Sequence, residues 1–399
     1  MLRSRISRRD EAGADECSDT VFSEIAWSGI DYSSSSTKDD LLIYVCQTSF
    51  DGPVKMAEEG SLGPYLIRRT LLMIPAILGL ILVVFAISRT LPGDIALQVL
   101  GPRATAEQLM EFRQRFGLNQ PITVQFYYYF MGLMKGDLGL SFRTQRPVIE
   151  DLIQRYPATI ELTTAAMILA IVVGVAIGIA SATSRRKLVD PASRLFSIYG
   201  VSLPEWWTGM LLQLGLAFGL GLFPSTGRYD FSLAPPTHIT GLYVLDSIIT
   251  LDGLALVDSL WHLALPAFVL SLGAMAQIAR MTRSSFLEQS SRDYVVFQKA
   301  NGLPERLVTY KYMLKCAFSS VLTIIGLTYG FLLGGSFLVE SVFAWPGVGY
   351  YGVQALLYKD FNAVVGVVLV VGIGFAAVNL IVDCLYGALD PRVRYGKAR

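Results

Sequence analysis

Three polar side chains stand inside long apolar runs of the sequence, where polar groups are costly and are usually kept for a function. Glu205 follows Pro204, and Gln213 and Gln277 lie farther along the chain in similar runs. We predict that these three line a path across a membrane. For Glu205 the alternative is a local polar contact or a position near an interface, and for the two glutamines it is hydrogen bonding between helices.

The sequence offers little for catalysis or metal binding. Its two histidines, His238 and His262, lie apart, no HExxH motif occurs, and the four cysteines form no CxxC pair. A phosphate-binding GxxxxGK[ST] loop is absent as well, so energy from ATP would have to be supplied by a partner. We therefore expect no catalytic residue, metal site or cofactor in this chain, and a membrane enzyme is a weak alternative.

The composition is that of a membrane protein. Of the 399 residues, 53% are hydrophobic and 16% are charged, whereas soluble domains usually carry about a quarter charged residues. The formal net charge of +1 argues against a nucleic-acid partner, which would require a dominant basic surface. The lipid bilayer is therefore the first partner to expect.

Apolar runs long enough to cross a hydrocarbon core of roughly 30 Å define the spans. We predict an all-α integral membrane protein with six transmembrane helices, at about 70–88, 158–183, 195–218, 263–281, 318–339 and 363–385. Glu161 and His262 fall near span ends, where we expect their side chains to reach water. The predicted divisions are a first span with a long outer section, a five-helix core and a short cytoplasmic tail, at 64–157, 158–390 and 391–399.

Residues 1–63 mix Ser, Asp, Glu and Arg and show no sustained period of either two or 3.6. We predict that this segment is disordered. Met56 opens a stretch that looks like a more natural N-terminus, so the first 55 residues are alternatively a start-site artefact. N-terminal sequencing of the native protein decides between them, because any residue detected before Met56 excludes the later start.

Lysine and arginine in the short loops set the orientation. Basic residues cluster after the second span, after the fourth span and in the tail, whereas the other two short loops carry only Arg228 and Lys359. Both chain ends and the hydrophilic stretch 292–315 are therefore predicted to be cytoplasmic. Residues 89–157 are predicted to lie outside, because long loops translocate largely regardless of charge.

The stretch 292–315 contains residues that typically start and end helices, in an order that predicts two short helices. Asp293 can cap the first helix, and Gly302 can end it in a left-handed turn. Pro304 and Glu305 can start the second helix. A membrane protein that places two such helices and this much positive charge between spans is expected to present them to a partner in the cytoplasm.

An apolar stripe is predicted on the first of these helices. Tyr294, Phe297 and Ala300 recur at a spacing of three, which places them near one face of a helix. A stripe of this kind suits a groove on a partner protein. A helix lying on the lipid surface is the alternative interpretation.

The same stretch resembles the cytoplasmic loop shared by permease subunits of bacterial ABC importers, in which a helix ends at a glycine and a second apolar helix follows at fixed spacing. The matching positions are Asp293, Tyr294, Ala300, Gly302 and Leu314. The acidic start typical of the superfamily is replaced by Val296, Phe297 and Gln298, a departure shared by importers of dipeptides, oligopeptides and nickel. Seven further motifs occur in order: LPGD (91–94), GDLGLSF (136–142) followed by RPV (146–148), PATIEL (157–162), SLPEWW (202–207), HLALPA (262–267), VFAWPGVG (342–349) and LDPRVRY (389–395).

The resemblance implies a type I ABC importer permease fold. It also implies that the chain is the first of the two permease subunits that pair in the inner membrane of a bacterium. Its implied partners are a second permease, two ATPase subunits that bind ATP and Mg, and an extracytoplasmic binding protein. The helix that starts at Asp293 would be the coupling helix seated on an ATPase. The implied coupling residues are Asp293, Tyr294, Phe297, Ala300, Gly302 and Glu305.

The segment VFAWPGVG is predicted to form a rigid turn outside the membrane. The resemblance implies that Trp345, Pro346, Gly347 and Gly349 help to close the outer end of the path or contact the binding protein. The alternative is an aromatic belt, with Trp345, Tyr350 and Tyr351 at the level of the lipid headgroups.

The resemblance implies an ATP-driven importer of dipeptides or oligopeptides. Relatives with the same motifs carry nickel or sugars, so these cargoes stay open as alternatives. The alternative from another class is an ATP-independent secondary transporter, for which inverted repeats or discontinuous spans would argue. No convincing repeat is visible in the sequence.

Overall fold

A computed structural model describes residues 62–90, 95–101, 103–115, 119–184 and 189–389. Apart from one isolated β-bridge between Leu140 and Pro147, the regular elements in these ranges are helical, and the predicted all-α class is confirmed. The predictions made for residues 1–61, including a start at Met56, lie outside the described residues. So do the LPGD motif, the basic residues at 185–187 and the predicted tail.

The described residues form fifteen α-helices, numbered in chain order. They are α1 Leu62–Thr90, α2 Ile95–Leu100, α3 Ala106–Arg115, α4 Ile122–Met134, α5 Val148–Thr183, α6 Val189–Ser202, α7 Glu205–Leu212, α8 Tyr243–Ile249, α9 Gly253–Ser290, α10 Asp293–Ala300, α11 Glu305–Leu307, α12 Leu314–Gly335, α13 Phe337–Val342, α14 Val348–Leu357 and α15 Phe361–Leu389. A π-helical segment, Gln213–Gly219, extends α7, and another, Val308–Met313, joins α11 to α12.

Four helical stretches among the described residues are long and apolar enough to cross a membrane: Val148–Thr183, Gly253–Ser290, Glu305–Val342 and Phe361–Val382. They contain the second, fourth, fifth and most of the sixth predicted span. In α1 the apolar stretch Thr70–Ala86 is shorter. The predicted total of six spans is therefore not confirmed.

The third predicted span is two helices and not one. α6 ends at Ser202 and α7 begins at Glu205, with Pro204 extended between them at φ −60° and ψ 130°. Proline has no N–H to donate and disfavours helical geometry in the residue before it. The helix α6 therefore ends before Leu203 and Pro204. A hydropathy profile misses the break because Leu203 and Pro204 do not interrupt the apolar run.

The centre of the bundle is the contact between α5 and α9. A Cβ built at Gly174 would lie 2.9 Å from the carbonyl oxygen of Met275, and one at Gly178 would lie 2.7 Å from that of Ala279. These two glycines, one turn apart, let the helix backbones approach closely, as small residues do in membrane helix pairs. The fully buried side chain of Ile278 fills the space beside Gly174, since its Cβ would lie 3.1 Å from a Cβ built there.

Candidate functional site

The helix α10 lies across the end of the bundle, between α9 and α11. Tyr294 and Val295 are buried, at 6% and 0% exposure, in a cluster with Phe286 of α9 and with Val308, the first residue of the π-helical segment after α11. Burial of these two side chains fixes which face of α10 points into the protein. The opposite face is consequently exposed.

Four residues on the outward face of α10 are exposed: Asp293, Val296, Phe297 and Ala300. Phe297 is 65% exposed and Val296 is 60% exposed. The spacing of 293, 296, 297 and 300 is that of one helical face. The predicted stripe is therefore partly wrong, because Tyr294 belongs to the buried face and Val296 takes its place on the exposed one.

Both ends of α10 follow from local turn chemistry. The N-cap is Arg292, without a side-chain hydrogen bond, and Asp293 is the first helical residue; the predicted capping role of Asp293 is therefore wrong. At the other end Gly302 has φ +75°, and the N–H groups of Gly302 and Leu303 donate to the carbonyls of Lys299 and Gln298. This is a Schellman turn, which requires a left-handed residue, and it confirms the prediction that Gly302 ends the helix in a left-handed turn.

Polar groups also hold α10 on the bundle. The hydroxyl of Tyr294 donates to Oε1 of Gln289 at 2.9 Å, and burial raises the pKa of Tyr294 to about 12, so it stays a neutral donor. Glu305, the last of the predicted coupling residues, is exposed at the start of α11. Of the six predicted coupling residues, Tyr294 is buried, whereas Asp293, Phe297, Ala300, Gly302 and Glu305 are exposed.

A charged cluster joins the ends of α5, α6 and α9 on the same side of the molecule. Arg283 donates from Nε to Oδ1 of Asp190 at 2.6 Å and from Nη2 to Oδ2 at 3.1 Å. Ser181 of α5 donates to the same carboxylate at 2.8 Å. The hydrogen bonds from Arg283 hold the pKa of Asp190 well below its usual range.

The segment 342–349 forms a buried corner at the opposite end of the bundle. Glu340, with 0% exposure, accepts hydrogen bonds from the hydroxyls of Thr159 at 2.8 Å and Ser336 at 3.0 Å. It also accepts from the N–H of Tyr350 at 2.9 Å. The hydroxyl of Thr159 in turn accepts from the N–H of Val348 at 2.8 Å, so one carboxylate ties the corner to α5.

The aromatic side chains of this corner do not form a belt. Trp345 is 1% exposed and donates from Nε1 to the carbonyl of Ala158 at 2.8 Å, and Tyr351 is 1% exposed. The alternative that placed them at headgroup level is wrong for both. Gly347 and Gly349 are buried as well, which leaves Pro346 as the partly exposed member of the four predicted gate residues.

The three predicted path residues have different surroundings. Glu205 is partly exposed at the break between α6 and α7, with its carboxylate against Gly273 of α9. Gln277, one turn along α9 from Gly273, is exposed, so the structure brings Glu205 and Gln277 to the same side of α9. The amide of Gln213 is committed elsewhere: it donates to the carbonyls of Ser225 at 2.7 Å and Val342 at 3.1 Å.

Two family models match the chain. The model described as a binding-protein-dependent transport system inner membrane component matches residues 170–395, and a companion model for the N-terminal part of such components matches residues 64–163. The first match alone covers more than half of the sequence. The chain belongs to this family of inner-membrane transport components.

Curated relatives of this permease match over nearly their full length. The dipeptide transport system permease protein DppB of Alkalihalophilus pseudofirmus is 42% identical over 331 residues, which are 83% of this chain and 99% of the relative. The probable D,D-dipeptide transport system permease protein DdpB of Escherichia coli K12 is 41% identical, over 81% and 95% of the two chains. The glutathione transport system permease protein GsiC of Salmonella typhimurium is 36% identical, over 83% and 99%.

Among solved structures, a chain of the MetNI methionine ABC transporter in inward-facing conformations aligns with this permease at a TM-score of 0.44 and 18% identity. The alignment covers 60% of this chain and 96% of that one. A likeness at this level carries no argument about the permease. The family assignment rests on the sequence matches alone.

The permease also contains a buried ion pair that sequence reasoning missed. Arg228 and Glu161 are 6% and 8% exposed and form a salt bridge through Nη2 and Oε2. Arg228 also donates to the carbonyl of Gly241 at 3.1 Å and lies 3.8 Å from the ring centroid of Tyr243. The expectation that Glu161 reaches water is therefore wrong, and the same holds for His262, which is 8% exposed.

Two signals in the sequence could have identified these residues as a pair. Arg228 is the lone basic residue in its loop, and Glu161 is an acid at the edge of an apolar run; a single cation in a loop facing a single acid is a candidate pair. Glu340 is likewise an acid next to the fifth predicted span. Its partner Thr159 is 181 residues away, and no local pattern predicts that contact.

Proposed function

We propose that this permease is one of two membrane subunits of an ATP-driven importer that carries short peptides delivered by an extracytoplasmic binding protein. The observation that carries the proposal is the 42% identity to a relative named as a dipeptide permease, over 99% of that relative. The names of the relatives above refer to dipeptides or glutathione, which is itself a short peptide, and this favours peptides over nickel or sugars.

Energy enters the permease through the exposed face of α10. The face formed by Asp293, Val296, Phe297 and Ala300 combines two large exposed apolar side chains with one carboxylate. Its helix is short, packed on the bundle by Tyr294 and stopped by the Schellman turn at Gly302. A partner ATPase that moves this face therefore moves the ends of α9 and α12 with it. ATP and Mg are bound by the ATPase subunits.

The proposed topology is the type I permease arrangement with six crossings. α1 and the broken pair α6–α7 supply the two crossings beyond the four long apolar stretches. Both chain ends and α10 are cytoplasmic, because the basic clusters in the short loops alternate with nearly uncharged loops. The corner at 342–349 is outside, where Val342, Ala344 and Pro346 are partly exposed and Pro346 is the predicted contact for the binding protein.

Uptake by reconstituted vesicles tests the proposed function. Vesicles that contain this chain, the second permease and both ATPase subunits are loaded with ATP, and the binding protein is added outside with a labelled dipeptide. We expect uptake that stops with a non-hydrolysable ATP analogue and when the binding protein is omitted. Uptake without ATP would indicate a secondary transporter, and uptake of nickel or a sugar in place of the dipeptide would contradict the peptide assignment.

A further inference from the structure

The break between α6 and α7 leaves a carbonyl without its usual donor. In an α-helix the carbonyl of Gly200 would accept from the N–H four residues later, but that residue is Pro204, which has none. The N–H of Leu203 is not available to it, because that group makes its own i→i−4 bond to the carbonyl of Tyr199 at 3.2 Å. The end of α6 therefore presents an oxygen with free lone pairs, on the helix end that carries partial negative charge.

The carboxylate of Glu205 borders the same spot. A Cβ built at Gly273 would lie 2.8 Å from Oε1 of Glu205 and 3.5 Å from the carbonyl oxygen of Gly200. Both oxygens thus face one patch of α9 that carries no side chain. Within the part of the chain that the structure describes, the Glu205 carboxylate takes part in no hydrogen bond or ion pair, and it does not cap its own helix.

No cation on α9 compensates this carboxylate locally. Gly273 lies near the middle of the 38-residue α9, and the nearest basic residue toward the end of that helix, Arg280, is seven residues and roughly 10 Å along the axis away. A lone carboxylate at such depth is costly. Glu205 is partly exposed, so its carboxylate is not sealed off by the rest of the chain.

We propose that Glu205 and the carbonyl of Gly200 form a subsite that binds a primary ammonium group of the transported solute. An ammonium has three donors and no acceptor, so it matches two acceptor oxygens and one negative charge. Gln277, one turn from Gly273, provides an amide for the next part of the solute. The subsite rests on the proposed function, since every unblocked peptide carries such an ammonium.

Uptake of paired substrates tests the subsite. The complete importer is compared as wild type, Glu205→Gln and Glu150→Gln; Glu150 is an exposed carboxylate in the first turn of α5 and controls for loss of a charge. We expect Glu205→Gln to lower uptake of alanylalanine at sub-saturating concentration by roughly tenfold or more, because a charged hydrogen bond is lost. Uptake of N-acetylalanylalanine should not change. Wild-type uptake of alanylalanine by Glu205→Gln would overturn the inference.

Carboxyl labelling separates the subsite from the peptide assignment. In the wild-type importer a hydrophobic carbodiimide should modify Glu205, detected by mass spectrometry of the peptide that contains it. Butylammonium and alanylalanine should protect Glu205, and N-acetylalanylalanine should not. If the wild type takes up no peptide, the peptide assignment fails. Protection of Glu205 by butylammonium then decides, by itself, whether the subsite binds an ammonium group. Absence of labelling, or equal protection by the acetylated compound, would overturn it.

Discussion

Single residues in this permease act mainly through backbone geometry and close packing. Gly302 ends α10 because its φ of +75° is available to glycine at no cost. Gly347 lies where a side chain would meet the carboxylate of Glu340 and the hydroxyl of Thr159. The first role was predictable from local sequence, whereas the second depends on residues far away in the chain.

Substitution of Gly302 should uncouple the permease without unfolding it. A Cβ at this position meets nothing within 4 Å, so Gly302→Val is opposed by backbone strain alone, of roughly 1–2 kcal/mol, and the end of α10 shifts. Gly302→Asn is the control, because asparagine tolerates the left-handed region. We expect peptide uptake to fall in the valine variant and to persist in the asparagine variant, at equal amounts of chain in the membrane. Equal uptake by both would contradict the role of the turn.

Two alanine substitutions near the corner at 342–349 should differ sharply in their effect on the stability of the permease. Gly347→Ala forces a methyl group against the buried carboxylate, and such overpacking typically costs about 1–3 kcal/mol. Gly335→Ala is the matched control, because nothing lies within 4 Å of its Cβ. Thermal unfolding in detergent should show a lower midpoint for Gly347→Ala alone. An unfolding midpoint of Gly347→Ala that equals the wild-type midpoint would show that the packing around Gly347 accommodates the added methyl group at little cost.

At the scale of elements, sequence reasoning located α10 but not its faces. Apolar side chains occur on both sides of this helix, Tyr294 and Val295 on one and Val296 and Phe297 on the other. Periodicity cannot rank two apolar faces of one helix; only packing on Phe286 and its neighbours decides which is buried. Similarly, the break at Pro204 was visible as a proline, but hydropathy alone counted one continuous span.

The buried ion pair fastens the loop between the third and fourth predicted spans to α5. Arg228→Met alone leaves Glu161 buried and unpaired, which should destabilise the fold by about 3–5 kcal/mol. Glu161→Gln together with Arg228→Met removes both charges, while Oε1 can still accept from the N–H of Val244, now at 2.7 Å. We expect the unfolding midpoint to fall in the single variant and to recover in the double variant. Two variants with the same midpoint would show that the pair is not coupled.

For the whole molecule, the sequence predicted the all-α class, four of the long apolar helices and the short helix that starts at Asp293. These follow from apolar run length, charge distribution and turn residues, all of which are local properties. The aromatic-belt alternative for Trp345 is wrong because burial of an aromatic ring depends on what packs over it. The contact that decides this joins Trp345 to Ala158, 187 residues away.

We propose that ATP hydrolysis by the partner ATPase moves the helix bundle through the exposed face of α10. The most direct measurement is peptide uptake per ATP hydrolysed in vesicles that contain the complete importer with Phe297→Ala. Phe297 is 65% exposed, so its truncation should leave the unfolding midpoint of the permease unchanged. We expect this ratio to drop roughly tenfold, as for truncation of a hot-spot aromatic at an interface. A wild-type ratio in this variant would contradict the assignment of α10 as the coupling helix.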